Sequence, residues 1–344
     1  MSCNNWKKIV NSSPEFDGLN WQRISMSNDG KYQTAVIRGG NIYISHNYGK
    51  KWEPVVQNFN FYWTNISVSY HGKIQSAVIE GGNIYNSEDY GKTWTINESA
   101  PIAAWYSVAM SKDGEYQTAL ANGFYNTEFP NGFIYTSKDY GKTWKKRDAP
   151  NNCWLHNSMS SDGKNQIANS FPIDGVADPD DVMGYLYKSN DYGKTWKKNK
   201  NLKQNYYTTN DMSSDGKIQI TCSNNCNYAP TIPGNIEISY NYGKSWSKCD
   251  IENQAWIYIT LSGNGKYIVA VSYQQTDENG NIVPETGGMY SSKNYGKTWK
   301  KTNAPLNTWD GVSISKKGNI STAVAWGSGI FTNKCKIHHH CNCN

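Results

Sequence analysis

SEDYGKTW, residues 87–94, decides the fold, because it returns as SHNYGKKW at 45–52, SKDYGKTW at 137–144, SNDYGKTW at 189–196, SYNYGKSW at 239–246 and SKNYGKTW at 292–299. Successive copies start 42 to 53 residues apart. Such self-similarity marks a repeat architecture, in which each unit is a small sheet that cannot bury both its faces alone. A second pattern, aromatic-x5-Ser-x-x-Gly, precedes each octapeptide. Its glycines are Gly30, Gly72, Gly114, Gly163, Gly216, Gly265 and Gly318, seven against six octapeptides.

The chain ends resolve the mismatch. After Gly318 the stretch ISTAVAWGSGIFTNKC leaves the pattern, while Trp6-Lys7-Lys8 matches the Trp-Lys-Lys at Trp144 and at Trp196. The N-terminal segment is therefore expected to supply the outer strand missing from the seventh unit, which leaves no open edge. The predicted fold is all-β: a seven-bladed β-propeller over residues 1–334, four antiparallel strands per blade, closed by the N-terminal strand and followed by a Cys/His-rich tail at 335–344. In the first unit, strand A is expected at 21–27, B at 32–37, C at 42–45 and D at 51–56.

Composition agrees. Aromatic residues make up 14% of the 344 residues and there are 30 glycines, which suits short strands and tight turns. Hydrophobic content is 37% and mean hydropathy −0.74, too polar for long buried helices. No apolar run reaches the roughly 18 residues of a membrane span, so no membrane insertion is expected. MSCNNWKKIV at the start lacks the apolar core of a secretory signal, giving an expectation of a cytoplasmic monomer. The net charge of +6 comes from lysines recurring once per repeat, a dispersed ring and not a cluster, so no nucleic-acid partner is expected. The wealth of Asn, Lys, Ile and Tyr points to an AT-rich genome, such as that of a protist or a large DNA virus infecting one. Eight cysteines are few for this length and are expected mainly as thiols.

Within the octapeptide, Asp89, Asp139 and Asp191 can accept backbone N–H bonds across a turn, and Asn47, Asn241 and Asn294 can do the same through their side-chain oxygens. The glycine of each copy is expected at positive φ. The closing tryptophans, from Trp52 to Trp299, offer apolar area to wedge between sheets. A structural role is expected for all six copies, calcium at the Asp positions being the alternative.

The units also serve as an internal alignment. Strand A opens on Trp21, Trp63, Trp105, Trp154, Tyr207, Trp256 and Trp309. Strand A lines the channel of a propeller, with A–B turns and octapeptides on one face (the box face) and D–A and B–C loops on the other (the loop face). The seven aromatics are candidates for two roles: packing between blades, or a ring of stacking platforms for a sugar. Two residues further, on the same strand face by alternation, the units differ: Arg23, Asn65, Ser107, His156, Thr209, Tyr258 and Gly311. Arg23, Asn65, His156 and Tyr258 are the candidate polar lining of a pocket at the channel mouth. The B–C connections are tight in units 1, 2 and 7 and long at 121–132, 169–184, 222–234 and 272–287. The 169–184 loop carries Asp174, Asp178, Asp180 and Asp181 without the spacing of an EF-hand.

The tail gathers Cys335, His338, His340, Cys341 and Cys343, donors of the type that fill a tetrahedral zinc site. Closure would also bring Cys3 near Cys335, so a Cys3–Cys335 disulfide is the alternative, and a free tail a third. No cofactor other than zinc at the tail is expected.

The octapeptide resembles the Asp-box (BNR) motif, S-x-D-x-G-x-T-W, of sialidases and many other propellers, and the likeness extends over all seven units. It implies the sialidase-like propeller fold. Sialidases clamp their substrate carboxylate with three converging arginines, whereas this chain has only Arg23, Arg38 and Arg147, drawn from two units, and lacks the Phe-Arg-Ile-Pro sequence of that family. Sialidase activity is therefore not expected. Xyloglucanase-type propellers use paired carboxylates across a cleft, for which Asp17, Asp310 and the acidic loop are available. The unit is also similar to photosystem II assembly-factor propellers, which implies a binding scaffold. The resulting expectation is a non-catalytic propeller that recognises a glycan or a protein through its loop face, with a glycoside hydrolase on the same face as the alternative.

Overall fold

A computed structural model describes residues 5–10, 16–57, 59–123, 131–172, 184–224, 234–273 and 287–335. Among these, twenty-eight strands form antiparallel ladders in five four-stranded sheets and one eight-stranded sheet. The third unit is representative: Trp105–Met110, Gln117–Ala121, Phe133–Ser137 and Lys145–Lys146 pair in chain order from the inner strand outward. The eight-stranded sheet is the first two units joined. Strand Gln33–Gly40 overruns its expected end at Ile37 and pairs with Phe61–Val68, Arg38 opposite Tyr62 and Gly40 opposite Phe61. The first B–C hairpin is thus no free turn but a seam to the next unit. Single bridges repeat the seam at Gly82–Ala103 and Gly184–Asn205.

The chain ends meet as their sequences require. Lys7 stands opposite Thr332 and Lys8 opposite Phe331, so the short N-terminal strand completes the sheet of Trp309–Ile314, Ile320–Ala325 and Gly329–Lys334. Trp6 fixes this join by packing with Trp309 and Phe331. A second closure runs around the box face. The A–B turns hand one main-chain hydrogen bond each to the next turn: Asn28 N to Tyr70 O, then Tyr70 to Lys112, Lys112 to Ser161, Ser161 to Ser214, Ser214 to Gly263, Gly263 to Lys316, and Lys316 N back to Asn28 O, all 2.7–2.9 Å. This closed circle satisfies donors and acceptors that would otherwise face the channel unpaired.

The octapeptides tie to the same turns. Ser87 Oγ donates to Asp89 and accepts from Gly91 N, while Asp89 also accepts from Thr93 N and Thr93 Oγ1. Burial alone would raise the Asp89 pKa, but these hydrogen bonds outweigh it and hold the carboxyl below its ordinary range. Asn47, Asn241 and Asn294 accept the serine and main-chain bonds through Oδ1, while Nδ2 of Asn241 and Asn294 donates to Ser245 Oγ and Thr298 Oγ1. Gly91 sits at φ +83°, where an added Cβ would stand 2.9 Å from Gln75 Oε1. The tyrosine before each box glycine is also left-handed, φ 60° to 67° at Tyr48, Tyr90, Tyr140, Tyr192, Tyr242 and Tyr295. Its N–H reaches the A–B turn of its own unit, as from Tyr90 to Lys73 O at 3.2 Å. Inside, Gln33, Gln75, Gln117, Gln166 and Gln219 are buried with Nε2 on the carbonyl of their own A–B glycine. Units 6 and 7 put Ile268 and Ser321 there instead.

The core lies between units. Trp63 packs with Val36 and Ile42 of the unit before it, Trp105 with Val78 and Ile84, and Trp21 with Val324 and Ile330 across the closure. No helix among the described residues is long and apolar enough to cross a membrane.

Candidate functional site: the loop-face mouth of the channel

Every strand A carries a β-bulge at one place. The register slips between Trp21 and Arg23, Trp63 and Asn65, Trp105 and Ser107, Trp154 and His156, Tyr207 and Thr209, Trp256 and Tyr258, and Trp309 and Gly311. Trp21 stands opposite Ile37 while Arg23 stands opposite Val36, the adjacent residue of the partner strand. Adjacent residues of a strand point to opposite faces, so the extra residue turns Arg23 and its equivalents away from the aromatic face. This corrects the expectation that both rings share one strand face.

The aromatic ring is not a stacking platform. Trp21, Trp63, Trp105, Trp154, Trp256 and Trp309 are 0% exposed and Tyr207 is 1% exposed. A sugar needs an open ring face, and these faces are spent on aliphatic neighbours in adjacent units. The chain secures the ring's polar atoms where it can: Trp21 Nε1 donates to Phe16 O, Trp63 to Gly40 O, Trp105 to Pro101 O and the Tyr207 hydroxyl to Lys203 O.

The varied ring does converge. His156 Nε2 lies 3.1 Å from the Tyr258 hydroxyl with the two rings edge to face, and the Arg23 guanidinium lies 5.3 Å from the Tyr258 ring centroid. These residues come from units 1, 4 and 6 and meet across the channel. Asn65 stays in the wall, its Nδ2 3.5 Å from Ser107 Oγ. Gly311 lies against Arg23, where an added Cβ would make an ordinary contact at 3.4 Å from the Arg23 Cα. Arg23 Nη1 donates to the carbonyls of Gln22 and Asp310 at 2.8 and 2.7 Å. The Asp310 carboxyl receives the Tyr273 hydroxyl on Oδ1 at 3.4 Å, and its buried Oδ2 has no partner among the described residues.

Burial dominates the electrostatics. It lowers the His156 pKa to about 3, with nearby Arg23 adding to the shift, so the imidazole is neutral. It raises Asp310 to about 6 against the opposing pull of Arg23, and Tyr258 to about 12. The mouth therefore offers one cation, one reluctant carboxylate and several hydroxyls. Below it a cavity of about 180 Å3 takes in His156, Tyr258, Asn65 and Asp211.

Sequence comparison between units did not single out Tyr273, at the end of strand Ile268–Tyr273, or Tyr106. Tyr106, like Asp310, occupies the bulged position itself, between the aromatic and the varied residue. A scan of that position would have found Tyr106, though not Tyr273. Asp17, the other carboxylate considered, is paired with Lys8 at 2.6 Å on the surface.

No group of three or more His, Cys, Asp or Glu placed to hold a metal occurs among the described residues. Cys153, Cys222 and Cys249 are buried thiols, and Cys335 is disulfide-bonded. Cys3, His338, His340, Cys341 and Cys343 lie outside the described residues, as do the four aspartates of the 169–184 loop.

The BNR-Asp box repeat model matches residues 84–96, 134–147, 186–199 and 289–302. The chain is a β-propeller carrying Asp-box repeats. Among solved structures it is similar to YCF48 bound to D1 peptide, with 13% identity, a TM-score of 0.66, and 97% of this chain and 98% of that one covered. YCF48 from Cyanidioschyzon merolae gives 13% identity and a TM-score of 0.66 over 96% of this chain and 98% of that one. The GH74 xyloglucanase from Xanthomonas campestris gives 11% identity and a TM-score of 0.67 over 96% of this chain and 53% of the enzyme. At such identities the likeness is one of fold. No curated protein sequence matches.

Proposed function

We propose that this chain is a seven-bladed, non-catalytic scaffold that binds an extended segment of a partner protein at the loop-face mouth of its channel. The observation that carries this reading is the convergence of Arg23, His156, Tyr258 and Asp310 from separate units, with an Asp310 oxygen that has no partner among the described residues and with Arg23 and Tyr258 half-buried beside it. Peptide backbone supplies both donors and acceptors, which match a carboxyl, a guanidinium and hydroxyls set close together. The buried aromatic ring takes away the main support for a glycan. The YCF48 structure with a bound D1 peptide supports a protein partner on a propeller of the same architecture. The count of seven rests on the repeats and on the circle of A–B turn hydrogen bonds.

Selection from a random peptide library tests the reading. Enrichment of a peptide family that binds the native chain, and loses binding at least roughly ten-fold with Arg23→Ala, is the expected result, since a charge-assisted hydrogen bond is worth about 1.5–3 kcal/mol. A selection that enriches nothing, or peptides indifferent to Arg23→Ala, would overturn it.

A second reading, glycoside hydrolysis, draws on the raised Asp310, a property expected of a general acid. Retaining and inverting mechanisms both need a second carboxylate across the bond. The charged group acting on Asp310 among the described residues is Arg23. Release of chromophore from an aryl-glycoside panel, abolished by Asp310→Asn, would favour the hydrolase over the scaffold.

A further inference from the structure

The opposite, box-face end of the channel is built differently. The circle of A–B turn hydrogen bonds rings a second cavity of about 180 Å3, whose rim carries Lys112, Lys316, Ser161 and Ser214 and whose wall carries Met26, Met110, Met159 and Met212. Both lysine ammonium groups approach one ring, that of Tyr70, at 4.5 Å from its centroid for Lys112 and 5.6 Å for Lys316. Lys316 Nζ also donates to Ser161 Oγ, which leaves the hydroxyl proton of Ser161 free to donate. Neither lysine belongs to an ion pair among the described residues. The one carboxylate lining this cavity, Asp211, is occupied: it accepts from Met212 N, Thr260 Oγ1 and Leu261 N. Two like charges held over the same ring repel one another, and burial together with Lys112 lowers the Lys316 pKa against the opposing pull of Asp211.

We propose that this mouth is a binding site for a short aliphatic carboxylate, its head between Lys112 and Lys316 and its apolar body among the four methionines. The carboxylate accepts from both ammonium groups and from the Ser161 hydroxyl. Thioether side chains are unbranched and adaptable, so they close around an alkyl chain without a fixed shape. The volume suits a chain of a few carbons. The site lies at the other end of the channel from the proposed peptide mouth and does not depend on it.

Calorimetric titration with hexanoate tests the proposal, with sulfate as a head without a body and hexylammonium as a body with the wrong head. Saturable hexanoate binding, with sulfate and hexylammonium silent, is the expected result. Lys112→Ala, at an exposed position, and Lys316→Ala should each weaken hexanoate roughly ten-fold or more, the value of one charge-assisted hydrogen bond. Met159→Glu, which sets a negative charge against the alkyl body, should abolish it, with an unchanged melting transition as the control for folding. The proposal fails if hexanoate does not bind, if hexylammonium binds equally well, if sulfate alone binds, or if Lys112→Ala leaves hexanoate affinity unchanged in a folded protein.

Discussion

Two rings of side chains, separated by a single bulged residue on the inner strands, have opposite characters. The aromatic ring is six tryptophans and Tyr207, all buried and each packed against the preceding unit. The next ring is Arg23, Asn65, Ser107, His156, Thr209, Tyr258 and Gly311, no two alike. Repetition follows from the shared packing problem, because each unit must fill the same gap beside its neighbour. Variation is tolerated one step on because the bulge turns that position out of the gap and toward the channel. In a repeat protein the residues that break symmetry on a symmetric backbone are therefore the ones to ask about binding.

Removing a member of the first ring should have the largest effect. Trp63→Ala opens a cavity between two units and should cost about 3–5 kcal/mol by chemical denaturation. Tyr207→Phe, which loses the hydroxyl's bond to Lys203 O and its interaction with Glu237, should cost about 1 kcal/mol. Equal costs would mean that the ring is not close-packed.

The second ring should show itself through pH. His156 has a folded pKa of about 3, below its unfolded value, so its neutral form contributes stability above about pH 6.5 that is lost as pH falls toward 3. From pH 7 to 5 that loss is roughly 2 kcal/mol by linkage. Asp310, raised to about 6, has the opposite sign: its stability is full below the unfolded carboxylate range and is lost as pH rises through 6. Asp211, also raised to about 6 by burial, adds to this second trend. Denaturation curves between pH 4 and 7.5 should thus diverge. Relative to the native chain, His156→Gln gains stability on acidification and Asp310→Asn loses it. Parallel curves for both variants would mean that neither group is desolvated at the mouth.

The repeat, the strand order and the closure by Lys7–Lys8 were legible in the sequence because each rests on spacing or on residue types that recur. The faces were legible only in part. Alternation from Trp21 places Arg23 beside it, and nothing in WQRISM announces the bulge that reverses this, since the bulged residue is Gln22 here, Thr64 or Tyr106 elsewhere and Asp310 in the last unit. The circle of A–B turn hydrogen bonds was invisible for a related reason: it uses main chain and places no demand on side chains. Buried asparagines were a further surprise. Asn157 and Asn210 occupy positions held by Ile24, Ile66, Val108, Ile259 and Val312 in other units. Asn210 is satisfied there by the His156 carbonyl, Asn169 and Ser158, so a polar network carries the wall beneath His156.

The smallest effect separates fold from function on the box face. Each box tyrosine holds a left-handed backbone that favours glycine or asparagine and costs other residues roughly 1 kcal/mol or more. Tyr140 is 41% exposed at φ 64°. Tyr140→Asn should therefore leave stability unchanged or raise it by a few tenths of a kcal/mol up to about 1 kcal/mol, because asparagine adopts this conformation readily. Tyr192→Asn, whose ring lies 4.6 Å from that of Tyr116, should gain less or lose, as the aromatic contact is given up. Thermal denaturation of the two variants side by side decides the point. If both destabilise alike, the exposed ring of Tyr140 has packing that its exposure does not reveal. If Tyr140→Asn stabilises, six copies of a costly conformation are being kept for something other than the fold.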